Sequence, residues 1–296
     1  MRFGVDLGGT KIELMALDQK GQCCYRRRIA TPQQNYAATV AAITTLVTDA
    51  EAQLGQTARV GICIPGTLSP DHGRVKNANS TCLIGQLLDQ DLQQALGRPV
   101  QLANDADCFT LSETTDGAAQ GANCVFGVIL GTGVGGGITH NGQLLNGPNR
   151  IAGEWGHNPL PWSDPQQDPP LPCYCGKQGC IETFLSGPGL SQHYALQTGQ
   201  SAITAEQIVA QAAAGDPEAQ QVVDVYCDRL ARGLASVINL LDPDVVVLGG
   251  GLSNIEALYQ QIPARWGRYI FSDSVNTRLV AAQHGDASGV RGAAWL

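Results

Sequence analysis

The sequence predicts an α/β protein built from two related halves. Three observations point there. A strand–glycine turn–strand unit occurs twice: Phe3-Gly4-Val5-Asp6-Leu7-Gly8 reappears as Phe126-Gly127-Val128-Ile129-Leu130-Gly131. Between the copies, apolar strands alternate with helical stretches, the longest a regular amphipathic stripe. Beyond the second copy, Asp244-Val245-Val246-Val247-Leu248 is an apolar run of the kind a parallel sheet buries on both faces. Duplication at this scale implies two similar half-molecules.

Taken in order, residues 2–7 read as a strand and Ile12 to Leu17 as its return, joined by Gly8-Gly9-Thr10-Lys11. Glycines at such a tip let a bulky anion approach backbone N–H groups, and Thr10 and Lys11 add donors; an ordinary turn is the alternative. Asp6, at the strand end, can hold a cation or its water shell. Tyr36, Val40, Ile43, Val47, Ala50 and Leu54 recur at spacings of three and four, which predicts a helix with one buried face. Val60 to Ile64 is a buried strand ended by Pro65-Gly66. Residues 67–86 read as a polar loop, and its Asn77-Ala78-Asn79-Ser80-Thr81 stretch can read sugar hydroxyls or simply be solvated. Val100 to Ala103 is a strand, and Asn104-Asp105-Ala106-Asp107 opens a helix. Asp105 is there either an N-cap or a group at the carboxyl end of a strand, where open α/β sheets place their chemistry.

The second copy runs into Gly131-Thr132-Gly133-Val134-Gly135, then a strand to His140; Ile129 stands where the first copy has Asp6. Two such hairpins can grip a polyphosphate from both sides. Near the other end, a long helix from about Asp216 to Leu241 stops at Asp242-Pro243. Gly249-Gly250-Gly251 then leads into a helix capped by Ser253 or Asn254, a turn that lets a flat base or a phosphate lie on the backbone or is simply tight. Gly289 to Leu296 is a short helix of small residues.

Gly153-Glu154-Trp155-Gly156-His157 and Cys173-Tyr174-Cys175-Gly176-Lys177-Gln178-Gly179-Cys180-Ile181-Glu182 form the most distinctive stretch. His157 with Cys173, Cys175 and Cys180 is the donor inventory of a closed, tetrahedral Cys3His zinc site. The alternative is three buried cysteines acting as small hydrophobes. Such a metal would be structural, since four protein donors leave no open position. It would staple the loop and fix Glu154 and Glu182 on its flanks, and leave the second ring nitrogen of His157 for a sugar hydroxyl. Its loss is expected to loosen residues 153–182 and weaken whatever Glu154, His157 and Glu182 bind, with binding at the glycine turns nearly unchanged.

Composition narrows the function. A net charge of −8 argues against a general nucleic-acid binder. No apolar run is long enough to span a bilayer, and no leader is expected ahead of Phe3. Ten cysteines, mostly scattered in apolar runs, suit reduced thiols plus one metal cluster in a cytoplasmic protein. No Gly-x-x-x-x-Gly-Lys-Ser/Thr loop is present, and Gly131 to Gly136 leads into a strand where a dinucleotide motif would open a helix. Three glycine turns, carboxylates at Asp6 and Asp105 and an amide-rich loop suggest phosphoryl transfer from a nucleotide to a small hydroxylated molecule.

Asp6 to Lys11, Asn104-Asp105, Gly131 to Gly135, Glu154 to His157 and Cys173 to Glu182 together resemble the ROK (repressor, open reading frame, kinase) family of sugar kinases, over essentially the whole chain. Within it, Val75 to Thr81 and Gly153 to Trp162 are most similar to the bacterial fructokinases, or manno(fructo)kinases. The resemblance implies an actin-like, ribonuclease-H-type α/β fold of two domains with ATP in a cleft: residues 1–118, against which a helix at about 287–296 packs back, and residues 119–286 with the loop 153–182. It implies Asp105 as catalytic base. Asn79, Asn104, Asp105, Glu154, His157 and Glu182 would meet the sugar. Asp6, Gly8, Gly9, Thr10, Lys11, Gly131, Thr132, Gly133, Gly135, Gly249, Gly250 and Gly251 would serve ATP, with Asp6 holding Mg2+ through water. His157, Cys173, Cys175 and Cys180 would hold structural zinc. Fructose is the expected substrate, with mannose or glucose weaker; another kinase sugar, glucose or N-acetylglucosamine, is the alternative. A homodimer is compatible with the family; no nucleic-acid or membrane partner is expected. The link from His157 to Cys173, rich in proline, is longer than in the family's repressors. A repressor would carry a helix-turn-helix ahead of the hairpin that starts at Phe3, and a non-catalytic sensor would lack Asp105.

Overall fold

The computed structural model describes residues 1–78 and 80–296; Asn79, expected to meet sugar, lies outside the described residues. By their internal contacts the residues form two compact units. Unit 1 comprises residues 1–121, 137–152 and 283–296; unit 2 comprises 122–136 and 153–282.

In unit 1 the strands β1 (Arg2–Leu7), β2 (Lys11–Leu17) and β3 (Cys23–Ala30) are followed by helix α1 (Tyr36–Leu54) and strand β4 (Arg59–Ile64). A small hairpin of β5 (Thr67–Leu68) and β6 (Val75–Lys76) precedes α2 (Leu88–Leu96), β7 (Val100–Asn104) and α3 (Asp105–Asp116). The five main strands lie in the order β3-β2-β1-β4-β7. β1 pairs antiparallel with β2 and parallel with β4, and β4 pairs parallel with β7. The alternation in β1 separates two faces. Phe3, Val5 and Leu7 join Ile43, Leu46, Val47 and Ala50 of α1 in one core. The predicted stripe is therefore real, with Tyr36, Val40 and Leu54 half-buried at its rim. Asn35 caps α1 by accepting from the Ala38 N–H at 3.0 Å, and Gly55 ends it with φ of +66°.

The rest of the chain gives β8 (Cys124–Leu130), β9 (Val134–His140) and β10 (Gln143–Leu144), then helices α4 (Glu182–Leu185), α5 (Gly187–Thr198), α6 (Ala205–Ala213) and α7 (Pro217–Leu241). β11 (Val245–Gly249), α8 (Ala257–Trp266), β12 (Arg278–Ala281) and α9 (Ser288–Trp295) complete it. The second sheet has the order β10-β9-β8-β11-β12, the same pattern of neighbours as the first. β8 pairs parallel with β11, as β1 does with β4. The duplication read from Phe3 and Phe126 thus extends to the strand order of whole sheets.

The other face of β1 receives α9. A Cβ on Gly4 would lie 2.0 Å from the Val290 carbonyl oxygen, and one on Gly61 would lie 1.8 Å from that of Ala293. Glycine at both positions is what lets the helix backbone rest on the sheet. α9 is anchored through Glu113 of α3, which is fully buried. Its carboxylate accepts from the Gln283 and His284 N–H groups, the Ser288 hydroxyl and the Ala118 N–H, at 2.9 to 3.0 Å. Glu113→Gln would turn an NH2 group towards those donors. We expect it to lower the unfolding free energy by about 2 kcal/mol; a urea midpoint equal to wild type would remove Glu113 as the anchor.

Three elements differ from the sequence reading. β3 was not anticipated, because charge rather than alternating apolar residues holds it: buried Glu13 of β2 pairs with both Arg26 and Arg28. The supposed polar loop 67–86 contains β5 and β6, closed by buried Leu68 and Val75. Neither Ser253 nor Asn254 caps a helix. Residues Gly251–Asn254 form a 3-10 turn in which the Ser253 hydroxyl donates back to the Gly250 carbonyl at 2.7 Å, and α8 begins only at Ala257.

Candidate active site

In unit 1 the β1–β2 hairpin closes with the Gly8 N–H donating to the Lys11 carbonyl at 3.0 Å. Gly9, Thr10 and Lys11 are exposed. The three carbonyls of this turn are engaged by the segment after β3. The Thr31 hydroxyl donates to Gly8 at 2.7 Å, the Gln33 amide to Gly9 at 2.9 Å and the Thr31 N–H to Thr10 at 3.0 Å. These bonds fix the peptide planes of the turn. The sequence reading missed Thr31 and Gln33, and only the unrecognised β3 could have revealed them.

Asp6 is the penultimate residue of β1, and Asp105 starts α3 directly after β7. The charge of Asp105 reaches the Asp6 carboxylate. Burial raises the Asp6 pKa, a hydrogen bond from the Cys63 thiol opposes the rise, and the charge of Asp105 adds to it. Capping of α3 falls to Asn104, whose Oδ1 accepts from the Ala106 N–H at 2.8 Å while its Nδ2 donates to the Gly66 carbonyl at 3.3 Å. Asp105 is therefore a first-turn residue. It is open to solvent. The protein packed around it nevertheless raises its pKa, against backbone hydrogen bonds that lower it; access to water limits the rise.

In unit 2 the β8–β9 turn is pinned at three places. The Gly187 N–H donates to the Gly131 carbonyl at 2.8 Å, the Val134 N–H to Glu182 Oε2 at 2.9 Å, and the Trp155 indole N–H to the Gly135 carbonyl at 3.2 Å. At the end of β11, Gly250 has φ of +80°, and a Cβ there would meet the Leu130 carbonyl oxygen at 2.4 Å. Just beyond Gly251–Asn254 opens a cavity of about 760 Å³, walled by Val209 and Ala213 of α6, Pro217 and Gln221 of α7, and Asn254 to Ala257. Its α6–α7 wall carries no motif that the sequence could have shown.

His157 ends a 3-10 turn over Trp155–His157, and the cysteines follow a proline-rich connection. Bridges Pro159–Cys180 and Pro172–Gln178 fold the two ends together. The connection owes its course less to proline than to Asp168. That buried carboxylate meets Arg229 and Arg232 of α7, each at 2.8 Å. Burial alone would raise the Asp168 pKa, but the two guanidinium groups outweigh it and hold it below the usual value.

The donor atoms of His157, Cys173, Cys175 and Cys180 all lie within 4.8 Å of one another. Cys173 Sγ is 3.6 Å from His157 Nδ1, and Cys175 Sγ is 3.6 Å from Cys180 Sγ. A tetrahedral zinc with Zn–S of about 2.3 Å separates its donors by roughly 3.5 to 3.8 Å, so the arrangement fits the metal. No disulfide engages any of the ten cysteines among the described residues. As free thiols, burial pushes Cys180 up to about 12 and Cys173 upward, whereas the Lys177 backbone N–H lowers Cys175; a metal would bind all three as thiolates. His157 Nε2, expected to be left for a sugar hydroxyl, meets the Tyr174 hydroxyl at 2.9 Å. Glu154 is exposed and Glu182 half-buried.

The sequence profile of the ROK family matches residues 2–296. The chain belongs to the ROK family. Among its ROK relatives, the N-acetyl-D-glucosamine kinase of Photobacterium profundum is 42% identical over 300 residues, covering 100% of this chain and 99% of that protein. The N-acetyl-D-glucosamine kinase of Yersinia pseudotuberculosis serotype O:1b is 41% identical, with coverages of 100% and 98%. The crystal structure of a ROK hexokinase from Thermus thermophilus superposes with a TM-score of 0.88 at 30% identity, covering 99% of this chain and 96% of that one. A ROK glucokinase from Streptomyces griseus, solved in complex with glucose and AMPPNP, gives 0.76 at 31% identity, with coverages of 99% and 97%. The expected α/β, actin-like two-domain fold is thus the fold of this ROK chain. The narrower likeness to fructokinases finds no support among these relatives. No helix of the described residues is long and apolar enough to cross a membrane.

Proposed function

We propose that this protein is an ATP-dependent sugar kinase and that its sugar is N-acetyl-D-glucosamine rather than fructose. The observation that carries the choice is the identity of 41 to 42% over the whole chain to kinases named for that sugar. The lower figures of 30 and 31% belong to the hexokinase and the glucokinase. An intact carboxylate at Asp105 supports catalysis over mere sensing.

In this reading Asp105 faces the attacking hydroxyl, orients its oxygen in line with the γ-phosphorus and accepts its proton as the bond forms. Asn104 fixes the start of α3 and hence the direction of Asp105. Asp6 holds Mg2+ through water, and Mg2+ supplies neutralisation of phosphate charge. Gly8 to Lys11 offer N–H, hydroxyl and ammonium donors to phosphate oxygens, and Gly131 to Gly135 offer backbone N–H groups. Gly249 to Gly251 and the cavity beyond them receive the adenosine. Glu154 and Glu182 meet sugar hydroxyls, and His157 joins them where a sugar hydroxyl replaces that of Tyr174 on Nε2. His157, Cys173, Cys175 and Cys180 hold zinc, which in a closed donor set supplies only order.

ADP release coupled to a reporter, measured over N-acetyl-D-glucosamine, glucose, mannose and fructose, tests the choice. We expect kcat/KM for N-acetyl-D-glucosamine to exceed that for fructose by at least ~10-fold, since a site that hydrogen-bonds one substituent discriminates against its absence. A fructose value equal or higher would restore the fructokinase reading; no release with any sugar would end the kinase reading.

A further inference from the structure

The Cys3His loop and the second glycine turn are joined by one short segment. Cys180 contributes a thiol to the cluster. Two residues later Glu182 opens α4. Its Oε2 accepts the Val134 N–H at 2.9 Å, and five residues on, the Gly187 N–H donates to the Gly131 carbonyl at 2.8 Å. The approach is close: a Cβ at Gly133 would come within 2.7 Å of Glu182 Oε2 and push that carboxylate aside. The segment is itself held at its start. The Ile181 N–H donates to the Asn158 carbonyl at 2.8 Å, and the Thr183 N–H to Cys180 at 2.9 Å. Glu182 thus spans from the zinc donors to an amide of the turn that we assign to phosphate.

We propose that Glu182 is a positioning residue for the phosphate turn and that it couples sugar occupancy to ATP affinity. The inference rests on the kinase reading and extends it. A carboxylate has two oxygens. With Oε2 on Val134, the other can face a sugar hydroxyl, so one rigid group touches sugar on one side and the turn on the other. A sugar that fixes the Glu182 rotamer also fixes the Val134 amide. The Gly131–Gly135 turn is then ordered before nucleotide arrives, and ordering it costs the nucleotide less binding energy. By linkage, nucleotide tightens sugar by the same factor. A residue that only contacted sugar would leave nucleotide affinity in the sugar-free protein untouched.

Calorimetric titration of Mg2+–AMPPNP into the full chain with its metal, without sugar and with saturating N-acetyl-D-glucosamine, distinguishes these roles. In wild type we expect sugar to tighten AMPPNP about tenfold. Glu182→Ala should weaken AMPPNP about tenfold even without sugar and abolish the tightening. Glu182→Gln keeps a carbonyl oxygen for the Val134 N–H. It should return sugar-free AMPPNP affinity to within about twofold of wild type while sugar affinity stays reduced. Metal content and Tm report whether each variant is folded. An unchanged sugar-free Kd in folded Glu182→Ala, or tighter AMPPNP in Glu182→Gln, would overturn the coupling. Failure of wild type to bind AMPPNP at all would instead overturn the kinase reading. Should Glu182→Ala not fold, hydrogen exchange of residues 131–137 in wild type decides: sugar alone must slow it, and an unchanged rate refutes the proposal.

Discussion

Replacing Asp105 with asparagine is expected to lower turnover at least ~100-fold, the low end for loss of a positioned base. Sugar affinity should stay within about threefold of wild type. The substitution keeps the size of the side chain and its reach to the Ala106 N–H, which the carboxylate accepts at 2.9 Å. It leaves the cap of α3 intact, because Asn104 supplies that. What it removes is a site for the proton and the negative end that aligns the attacking hydroxyl. The raised pKa of Asp105 adds a second readout. In the proposed mechanism Asp105 acts ionised, so kcat/KM should fall on the acid side, with the limb above the ordinary carboxylate value of 3.8. In Asp105→Asn that limb should vanish from the residual activity. Near-normal turnover in the purified variant would remove Asp105 from the mechanism.

Removal of the metal is expected to lower kcat/KM for the sugar about 100-fold. Glu154, His157 and Glu182 all flank or belong to the cluster. Loss of two charged hydrogen bonds of about 1.5 kcal/mol each is about 3 kcal/mol, or roughly 100-fold. Cys175→Ser should reproduce most of the effect. Metal analysis before and after chelation, with sugar kinetics on both samples, checks it; no stoichiometric zinc, or unaltered sugar kinetics after chelation, would refute it. The contacts also change the expectation for nucleotide. From the motifs alone, the cluster and the Gly131 turn look independent, so ATP binding is expected to survive metal loss. With Glu182 on Val134 and Gly187 on Gly131, nucleotide affinity should fall as well, though less than sugar affinity.

Local patterns were the legible ones. The stripe from Tyr36 to Leu54, the paired glycine hairpins and the spacing of Cys173, Cys175 and Cys180 each state their geometry within a few residues. Interactions across the chain were not legible. β3 depends on Glu13 reaching Arg26 and Arg28, and its sequence alone, with three adjacent arginines, carries no strand period. Glu182 and Val134 lie far apart in sequence, and nothing in either stretch marks the bond between them. Nor does the proline-rich link show in its sequence that Asp168 holds it to α7. Sugar identity was illegible for a different reason. One substituent on a ring is read by a few side chains whose types, Asn, Glu and His, serve many sugars equally well.

The seating of α9 on Gly4 and Gly61 bears on how the chain is made. Residues 288–295 leave the ribosome about 280 residues after those of β1. At about 5–20 residues per second, that interval is roughly 15 to 60 s. For the part of it that follows the emergence of β7, the sheet of unit 1 has one face paired with α1 and the other without the helix its glycines were shaped for. Vectorial synthesis therefore yields a half-covered sheet first, with its final layer added last. During that wait the bare glycine face is the surface on which chaperones or wrong partners can act.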